Sequence, residues 1–287
     1  MTTYLTTPQL LLRPLTLADA DAIETLVFQD SEVAKWLAYD VSVPGNSRRF
    51  AEDWCQRLAV DGDNDIWTRG GYGAFAITDR YGKFAEIGSV LGIIGFYGAD
   101  RVRGKWQADL FYALGRAFQG FGLMAEASRS ALDAWSALED AGNLTAVYWH
   151  RLNHNSARVL TRLGFIDKGN ISVVRKYGRR AHSFYRCELW RIQSAPLSDL
   201  ARITREAAIR IGHLAFENVV SHDEALSNIR RAVATHGVKR VSDSDIAEAF
   251  QLGASEPGLK CMKFEVPRVA WKVAARFANI GRLRMAS

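Results

Sequence analysis

The residues with the clearest chemical meaning lie in a glycine-containing turn at residues 114–127, LGRAFQGFGLMAEA, between a predicted strand and a predicted long helix. The first backbone N–H groups of a helix have no partner inside it, and the helix dipole adds partial positive charge there. Gly120 and Gly122 carry no side chain, so a phosphate group can approach the backbone closely. Arg116 adds a formal positive charge. The turn therefore predicts an anion site, with ordinary turn chemistry as the alternative.

Other common cofactor and metal patterns are missing from the sequence. It contains no GxxxxGK[ST] phosphate loop, no GxGxxG dinucleotide fingerprint and no HExxH zinc motif. The three cysteines, Cys55, Cys187 and Cys261, lie far apart and form no CxxC pair. We therefore predict neither a disulfide framework nor a metal site, and this cysteine usage fits the reducing cytoplasm.

Alternating strand-like and helical patterns fill the chain up to about residue 193. Strands are predicted at residues 10–14, 72–78, 89–97, 108–114, 144–149, 172–177 and 184–191, the last two joined as a hairpin around residues 178–180. The apolar stripe Met124, Ala127, Ala131, Trp135 and Leu138 predicts a long helix from residue 122. A shorter helix is predicted at residues 153–163. This order of elements indicates a mixed α/β (α+β) sheet domain.

The chain after residue 196 has a different character. Residues 200–219, 223–234, 243–252 and 266–283 have helical periodicity, which predicts a first domain at residues 1–195 and a helical C-terminal domain at residues 196–287. Arg268, Lys272 and Arg276 form a basic stripe on the last helix. A solvated stripe on a docked helical bundle explains it, and an RNA or acidic-partner surface or a peripheral membrane helix are the alternatives.

Composition limits the classes of protein that remain. The chain has 287 residues, 48% hydrophobic and 24% charged, which is typical of a globular protein with a sizeable core and excludes extended disorder. The longest mostly apolar stretch, residues 90–99, is too short to cross a bilayer, and no secretory signal is recognisable at the N-terminus. The net charge of +6 favours anionic ligands but is too small to indicate nucleic-acid binding.

Three segments resemble one family. Residues 119–124, QGFGLM, resemble the Q/R-x-x-G-x-G/A acetyl-CoA motif of the GNAT superfamily of N-acetyltransferases. Residues 11–19, LLRPLTLAD, look like the opening strand and helix of the branch that contains the ribosomal-protein N-terminal (alanine/serine) acetyltransferases. Residues 153–165, NHNSARVLTRLGF, are similar to that branch's N-x-x-S-x-R-V-L-x-K-L-G-F segment. The resemblance covers about residues 7–190 and implies a GNAT-like, mostly antiparallel sheet flanked by helices.

Two positions depart from the family pattern. Met124 stands where the motif normally has Gly or Ala, and its bulk would disturb a bound pyrophosphate unless it points into the core. Leu160 stands where many members have a tyrosine that serves as general acid. The resemblance to the ribosomal branch assigns that acid to Ser156 instead.

The resemblance also implies a donor site for acetyl-CoA. Its pyrophosphate would lie on the amides of the turn, which are those of Phe118, Gln119, Gly120, Phe121, Gly122 and Leu123, close to Arg116. Its pantetheine arm would follow the strand that ends in Phe111, Tyr112, Ala113 and Leu114, where backbone donors would face the thioester oxygen.

Four further polar residues have two interpretations each. Asp109 and His150 are candidate bases for the amine, or a solvated strand end and a hydrogen-bonded strand-end residue. Asn153 is a helix cap or a pantetheine contact. Arg158 is a phosphate contact or a surface arginine. The aromatic residues between Trp36 and Trp67, together with Trp106, Tyr148 and Trp149, are core residues or walls of an acceptor cleft.

The sequence thus predicts a cytoplasmic, acetyl-CoA-dependent, metal-free N-acetyltransferase that acts on a primary amine of a protein N-terminus or a small molecule. A non-catalytic GNAT-fold module and an aminoacyl-tRNA acetylating toxin are the alternatives. A homodimer through the C-terminal region is a further expectation.

Overall fold

A single mixed sheet forms the centre of the computed structural model, which describes residues 4–62, 73–238 and 240–266. In this described part the strand order is β1-β2-β3-β4-β5-β6-β8-β7. The strands are β1 Leu5–Thr6, β2 Leu10–Pro14, β3 Ala74–Asp79, β4 Val90–Val102, β5 Lys105–Leu114, β6 Ala141–Trp149, β7 Ile166–Ile171 and β8 Leu259–Phe264. All neighbours are antiparallel except β5 and β6, which are parallel. The mostly antiparallel mixed sheet predicted from the sequence is confirmed.

The two parallel strands separate along their length. Their paired residues end at Asp109↔Thr145, whereas β5 stays paired with β4 as far as Gly92↔Leu114. The other edge of β6 pairs with β8, from Leu144 to Trp149. The edge of β5 that faces β6 is therefore unpaired from residue 110 to 114, and a V-shaped gap opens between the strands.

Helices cover both faces of the sheet. They are α1 Ala20–Ile23, α2 Ser31–Ala34, α3 Asn46–Leu58, α4 Leu123–Ser136, α5 His154–Arg162, α6 Val173–Tyr177, α7 Ala181–Gln193, α8 Leu200–Phe216, α9 His222–Ala234 and α10 Asp243–Gly253. Successive strand residues point to opposite faces. Phe75 and Ile77 accordingly pack with α4 and α5, whereas Ala74 and Ala76 pack with α1 and α3.

The predicted hairpin at residues 172–191 is wrong. Residues 173–177 and 181–193 form helices α6 and α7, and a tight helical turn, Gly178–Arg180, joins them. The buried residues of α7 include Phe184, Glu188 and Ile192, which recur every four positions and pack against α8. Aromatic and β-branched residues suggested strands, but the period of burial is that of a helix.

The C-terminal helices α8, α9 and α10 are confirmed, but the region is not wholly helical. Strand β8 was not predicted, and it enters the main sheet between β6 and β7. Helices α8 and α10 cross closely, because a Cβ on Gly253 would lie 1.8 Å from the carbonyl oxygen of Ile209. This crossing helps to bring the chain back to the sheet. The division of the chain at residue 195 stays a prediction.

Two other expectations concern the end of the chain and membranes. The predicted basic helix at residues 266–283, with the partner contacts expected of it, lies outside the described residues beyond its first position. Within the described ranges, no helix combines the length and the apolar character that crossing a bilayer requires.

Candidate active site

The glycine turn between β5 and α4 has the open geometry that an anion site needs. Gly120 and Gly122 have φ values of +89° and +80°, which side chains rarely adopt, and Gly122 caps the N-terminus of α4. A Cβ built on either glycine would meet no atom within 4 Å. The open side of the turn thus faces space that a ligand can fill.

The backbone amides of this turn divide into two groups. The N–H groups of Phe118 and Gln119 already donate to the carbonyl oxygens of Gly115 and Arg116, at 2.9 and 3.2 Å. Those of residues 120–124 have no hydrogen-bond acceptor among the described residues. The sequence predicts that the amides of residues 118–123 bind the pyrophosphate. In the structure, the amides free to bind an anion are those of residues 120–124, which begin at Gly120.

Most side chains around the glycine turn make contacts that stabilise the turn. The Nε of Arg116 lies 3.1 Å from Asp30 Oδ2, although the side chain is largely exposed. The Nε2 of Gln119 donates to the carbonyl of Leu114 at 2.9 Å. Phe121 is exposed and lies beside Phe84, with ring centroids 5.5 Å apart. These contacts stabilise the turn from one side.

The next helical turn is also anchored. Glu126 accepts hydrogen bonds from the side chains of Thr7 and Gln9 and from the backbone N–H of Gln9. Burial would raise the pKa of Glu126, but these hydrogen bonds hold it below its ordinary value. Met124 is buried in the core between α4 and the sheet. Its side chain therefore leaves the motif's last position clear, although Gly or Ala is usual there.

A cavity of about 440 Å³ lies at the gap between β5 and β6. Its wall combines strand residues, α5 and side chains from distant parts of the chain. It includes Asp109, Leu110, Phe111 and Tyr112 of β5, Ala146 to Trp149 of β6, Asn153, Ser156 and Leu160, and also Trp36, Tyr39, Trp54, Arg57, Tyr97, Tyr177, Arg180 and Leu259. Ala113 and Leu114 continue β5 from the cavity to the glycine turn.

Ser156 is held by its backbone, and its hydroxyl lies beside the Tyr112 phenol. Its N–H donates to Oδ1 of Asn153 at 3.1 Å, which makes Asn153 the cap of α5 as well as a wall residue. The Tyr112 hydroxyl lies 3.5 Å from the carbonyl oxygen of Ser156. Burial raises the pKa of the Tyr112 phenol, and a hydrogen bond with the Ser156 side chain partly offsets this rise. Leu160, one turn later, gives the wall an apolar surface at that point.

Asp109 stands where the paired part of β5 and β6 ends. One of its carboxylate oxygens accepts from Thr145, and the other pairs with Lys176. Burial and the charge of Asp109 raise the pKa of the nearby Tyr97 phenol above its ordinary value. Asp109 is the one carboxylate in the wall formed by the described residues.

The other candidates have different surroundings. His150 is not part of the cavity wall, and its Nε2 lies 3.5 Å from Glu256 Oε1. Burial lowers the pKa of His150. Arg158 is exposed on α5, away from the wall. The structure thus brings Asp109, Ser156 and Asn153 together and leaves His150 and Arg158 outside.

The aromatic expectation was partly right. Trp36, Tyr148 and Trp149 line the cavity, whereas Trp106 lies beside Arg101, and Trp67 falls outside the described residues. Sequence reasoning missed Tyr177, Arg180 and Leu259, which arrive from the segment taken for a hairpin and from the unpredicted strand β8.

The C-terminal part supports this wall from behind. The guanidinium of Arg210, on α8, is fully buried between the rings of Trp36 and Trp149, at 4.6 and 5.0 Å from their centroids. Its Nη1 lies 2.6 Å from Glu188 Oε1 of α7. Arginine stacked on indole rings is favourable, so Arg210 holds two wall residues in place.

Comparison with known families decides what this architecture is. Residues 9–166, more than half of the chain, match the family model of the acetyltransferase (GNAT) domain. The chain belongs to the GNAT acetyltransferase family. The match begins in β2 and includes β5, the glycine turn, α4 and α5, whereas the cavity-wall residues Tyr177, Arg180 and Leu259 of this acetyltransferase lie beyond it.

Similar solved structures are acetyltransferases of low sequence identity. One is a GNAT-family acetyltransferase from Bacillus anthracis, with 16% identity and a TM-score of 0.45, covering 59% of this chain and 87% of that one. Another is a ribosomal-protein-S5-alanine acetyltransferase from Vibrio fischeri, with 18% identity, a TM-score of 0.45 and coverages of 59% and 86%.

A third structure is the Salmonella typhimurium acetyltransferase that modifies the N-terminal serine of ribosomal protein L7/L12. It shares 18% identity with this chain at a TM-score of 0.45, covering 59% of this chain and 88% of that one. A comparison with curated proteins finds no match. Within the described residues, no group of three or more His, Cys, Asp or Glu side chains could hold a metal ion.

Proposed function

We propose that this acetyltransferase uses acetyl-CoA to acetylate a primary amine by direct attack. The observation that carries the proposal is that two stretches of backbone without partners among the described residues lie on either side of residues 115–119 and lead to the cavity. They are the free amides of residues 120–124 and the unpaired edge of β5, which reaches the cavity beside Ser156. The amides, the strand edge and the cavity match what a diphosphate, an extended amide-containing arm and a reacting acyl group need in turn.

The donor would be held mainly by backbone. The amides of residues 120–124 would bind the pyrophosphate, because unpartnered N–H groups at a helix N-terminus favour anions. The free edge of β5 would pair with the pantetheine arm as an added strand. Backbone donors near residues 111–113 would stabilise charge on the thioester oxygen. When bound, acetyl-CoA supplies the activated acyl group.

The cavity would prepare the amine. Lys176, Arg57 and Arg180 place positive charge near an apolar surface, and both effects lower the pKa of an entering ammonium group. Its proton would leave through Asp109, the wall carboxylate, and on to water. We assign no step to His150, because it faces Glu256.

Ser156 would act as the acid in the transfer step. The amine nitrogen forms a bond to the acyl carbon and releases a proton to water through Asp109, the C–S bond breaks, and the departing sulfur takes the proton of the Ser156 hydroxyl, which is then restored from solvent. Holding the two reactants in contact supplies much of the acceleration. The acceptor would be a peptide N-terminus or a small amine.

The test combines donor binding and turnover. Acetyl-CoA should raise the melting temperature of the protein, because it binds the folded state. Thiol release should then be measured over a panel of peptides, amino acids, polyamines and aminoglycosides. If none of these amines caused thiol release, the proposed activity would be contradicted.

A variant tests the acid. Ser156→Ala should lower kcat by roughly 100-fold, within the usual range for general acid catalysis, with little change in acetyl-CoA affinity. Thr161→Ala, on the exposed side of the same helix, is the matched control and should leave kcat unchanged. Unchanged kcat in Ser156→Ala would remove the serine from the mechanism.

A further inference from the structure

The charges around the cavity bear on which amines it accepts. The described wall holds three charged residues, Arg57, Arg180 and Asp109. Lys176 neutralises Asp109 by a direct ion pair. The acceptor side therefore carries net positive charge, although the reacting group is an amine that reaches the protein protonated.

Arg180 is the cation available to a ligand. Its guanidinium lies 5.9 Å from the ring centre of Tyr39 and 6.0 Å from that of Tyr177, both in the wall. It has neither a hydrogen bond nor a carboxylate partner within the described ranges. Nearby cations are engaged, because Arg57 pairs with Asp53 and Arg186 pairs with Asp40.

A hydroxyl group beside Arg180 is also prepared to donate. The oxygen of Tyr39 accepts hydrogen bonds from Trp54 Nε1 at 2.6 Å and from Arg57 Nη2 at 3.1 Å. Two donors occupy the oxygen's lone pairs, so the hydrogen of Tyr39 is directed to another acceptor. None of the described residues provides that acceptor. Tyr177 adds a second hydroxyl in the same wall, and burial raises its pKa, so it stays protonated.

A planar guanidinium next to a hydroxyl donor suits a carboxylate or phosphate group. A simple cation such as spermidine would instead be repelled by the excess positive charge. An acceptor that carries its own anion avoids this repulsion and gains a contact.

We propose that the acceptor bears a carboxylate or phosphate close to its primary amine, and that Arg180 and Tyr39 bind this anion while the amine points to Asp109. The inference rests on the proposed acetyl transfer and narrows its acceptor. Polyamines and aminoglycosides are excluded as preferred substrates.

Matched pairs of amines test the inference by thiol release from acetyl-CoA. Phenylalanine is compared with phenylalaninamide, and the peptide Ser-Asp-Phe amide is compared with Ser-Asn-Phe amide. Phosphoethanolamine is compared with ethanolamine, and spermidine represents a purely cationic amine. In at least one carboxylate or phosphate pair, the anionic member should have a kcat/KM at least about 30-fold higher, the size expected for a charge-paired contact. A preference within the carboxylate pairs identifies the bound anion as a carboxylate, and a preference within the phosphoethanolamine pair identifies it as a phosphate.

Variants then assign the preference to a residue. In Arg180→Gln the preference should disappear, so that the kcat/KM values of the anionic and the neutral member of each pair become equal within the variant, while acetyl-CoA affinity stays unchanged. Arg180→Lys should retain part of the preference, because the charge remains without the planar fork. The control is Arg179→Gln, which changes an exposed neighbour outside the wall and should keep the full preference.

The outcomes separate this inference from the proposed function. Equal rates within every active pair, a preference for spermidine, or a preference that survives Arg180→Gln would overturn the anion site while acetyl transfer stands. Absence of transfer to every amine, with acetyl-CoA still bound, would contradict the proposed function itself and the inference with it.

Discussion

The two halves of the candidate site are built in different ways. The donor half lies within one continuous stretch, from Asp109 to Met124, and offers mainly backbone groups. The acceptor half is a set of side chains from helices and strands as far apart in sequence as Trp36 and Leu259. A backbone site depends on the shape of one turn, whereas a side-chain site depends on the packing of many elements. A mutation should therefore be able to impair donor binding without changing the acceptor cavity, and the reverse.

Buried charge shows how the acceptor half is supported. Glu188 and Arg210 are wholly buried, and Arg191 is nearly so, at the junction of α7 and α8 behind the wall. Glu32 of α2 joins this network through Arg191 and Lys35, both at 2.8 Å. The C-terminal helices thereby fix the N-terminal side of the cavity, whereas the ion pair at the glycine turn, between Arg116 and Asp30, involves an exposed side chain.

The largest effect is expected from breaking this buried network. Arg210→Met should destabilise the protein by about 3 kcal/mol, because it leaves Glu188 with one cation fewer in a dry interior. Denaturant unfolding measures the loss. The acetyl-CoA affinity of the folded fraction should stay near that of the parent protein.

Arg205→Met is the matched control on the same helix. Arg205 is exposed and makes no ion pair with the described residues, so its replacement should change the free energy of unfolding by about 0.5 kcal/mol or less. Equal losses for the two variants would refute the idea that the buried cation supports the acceptor wall.

Changing the glycine turn should produce the opposite result. Gly122→Val places a branched side chain over the amides of residues 120–124 and should weaken acetyl-CoA binding by roughly 100-fold, or about 2.7 kcal/mol, in calorimetric titration. Some backbone strain is unavoidable, because its φ is +80°.

Gly45→Val controls for that strain. Gly45 caps α3 with a φ of +81° and equally open surroundings, but it is not part of the site. We expect it to lose similar stability and to keep its acetyl-CoA affinity. A comparable loss of affinity in both variants would mean that strain, and not a blocked anion site, is responsible.

The smallest expected effect is a change in acid stability. Burial alone would raise the pKa of Glu32, but hydrogen bonds from Lys35 and Arg191 lower it to about 2. Since this folded-state pKa lies below that of the unfolded chain, the unfolded state takes up the proton first as the pH falls. Stability from Glu32 is therefore present above about pH 5 and declines towards pH 2.

Glu32→Gln should flatten this part of the pH profile of unfolding. The free energy of unfolding, followed by denaturant titration between about pH 5 and pH 2, should fall less steeply in the variant than in the parent protein. Parallel profiles would show that Glu32 is not held in its charged form by the network.

The same contrast explains what the sequence could predict. The donor half was readable because β5, the glycine turn and α4 are consecutive, and the stripe from Met124 to Trp135 has one helical period. Even there, the sequence could not tell that the amides of Phe118 and Gln119 are used inside the turn.

Most residues of the acceptor half could not be predicted from the sequence, for identifiable reasons. The segment with Tyr177 and Arg180 has strand-like composition, but it forms helix α6 and the turn before α7, whose buried face packs against α8. Strand β8 pairs with β6 and β7, which lie about a hundred residues earlier, so no local pattern announces its position. His150 directly follows a wall residue, Trp149, but its side chain pairs with Glu256 instead.

The central claim is that the amides of residues 120–124 hold the donor, and hydrogen–deuterium exchange of these amides with and without acetyl-CoA tests it most directly. We predict that acetyl-CoA slows exchange at residues 120–124, while the helical turn at residues 178–180 exchanges as before. Unchanged exchange at residues 120–124 under saturating acetyl-CoA, with protection at another segment, would contradict the account.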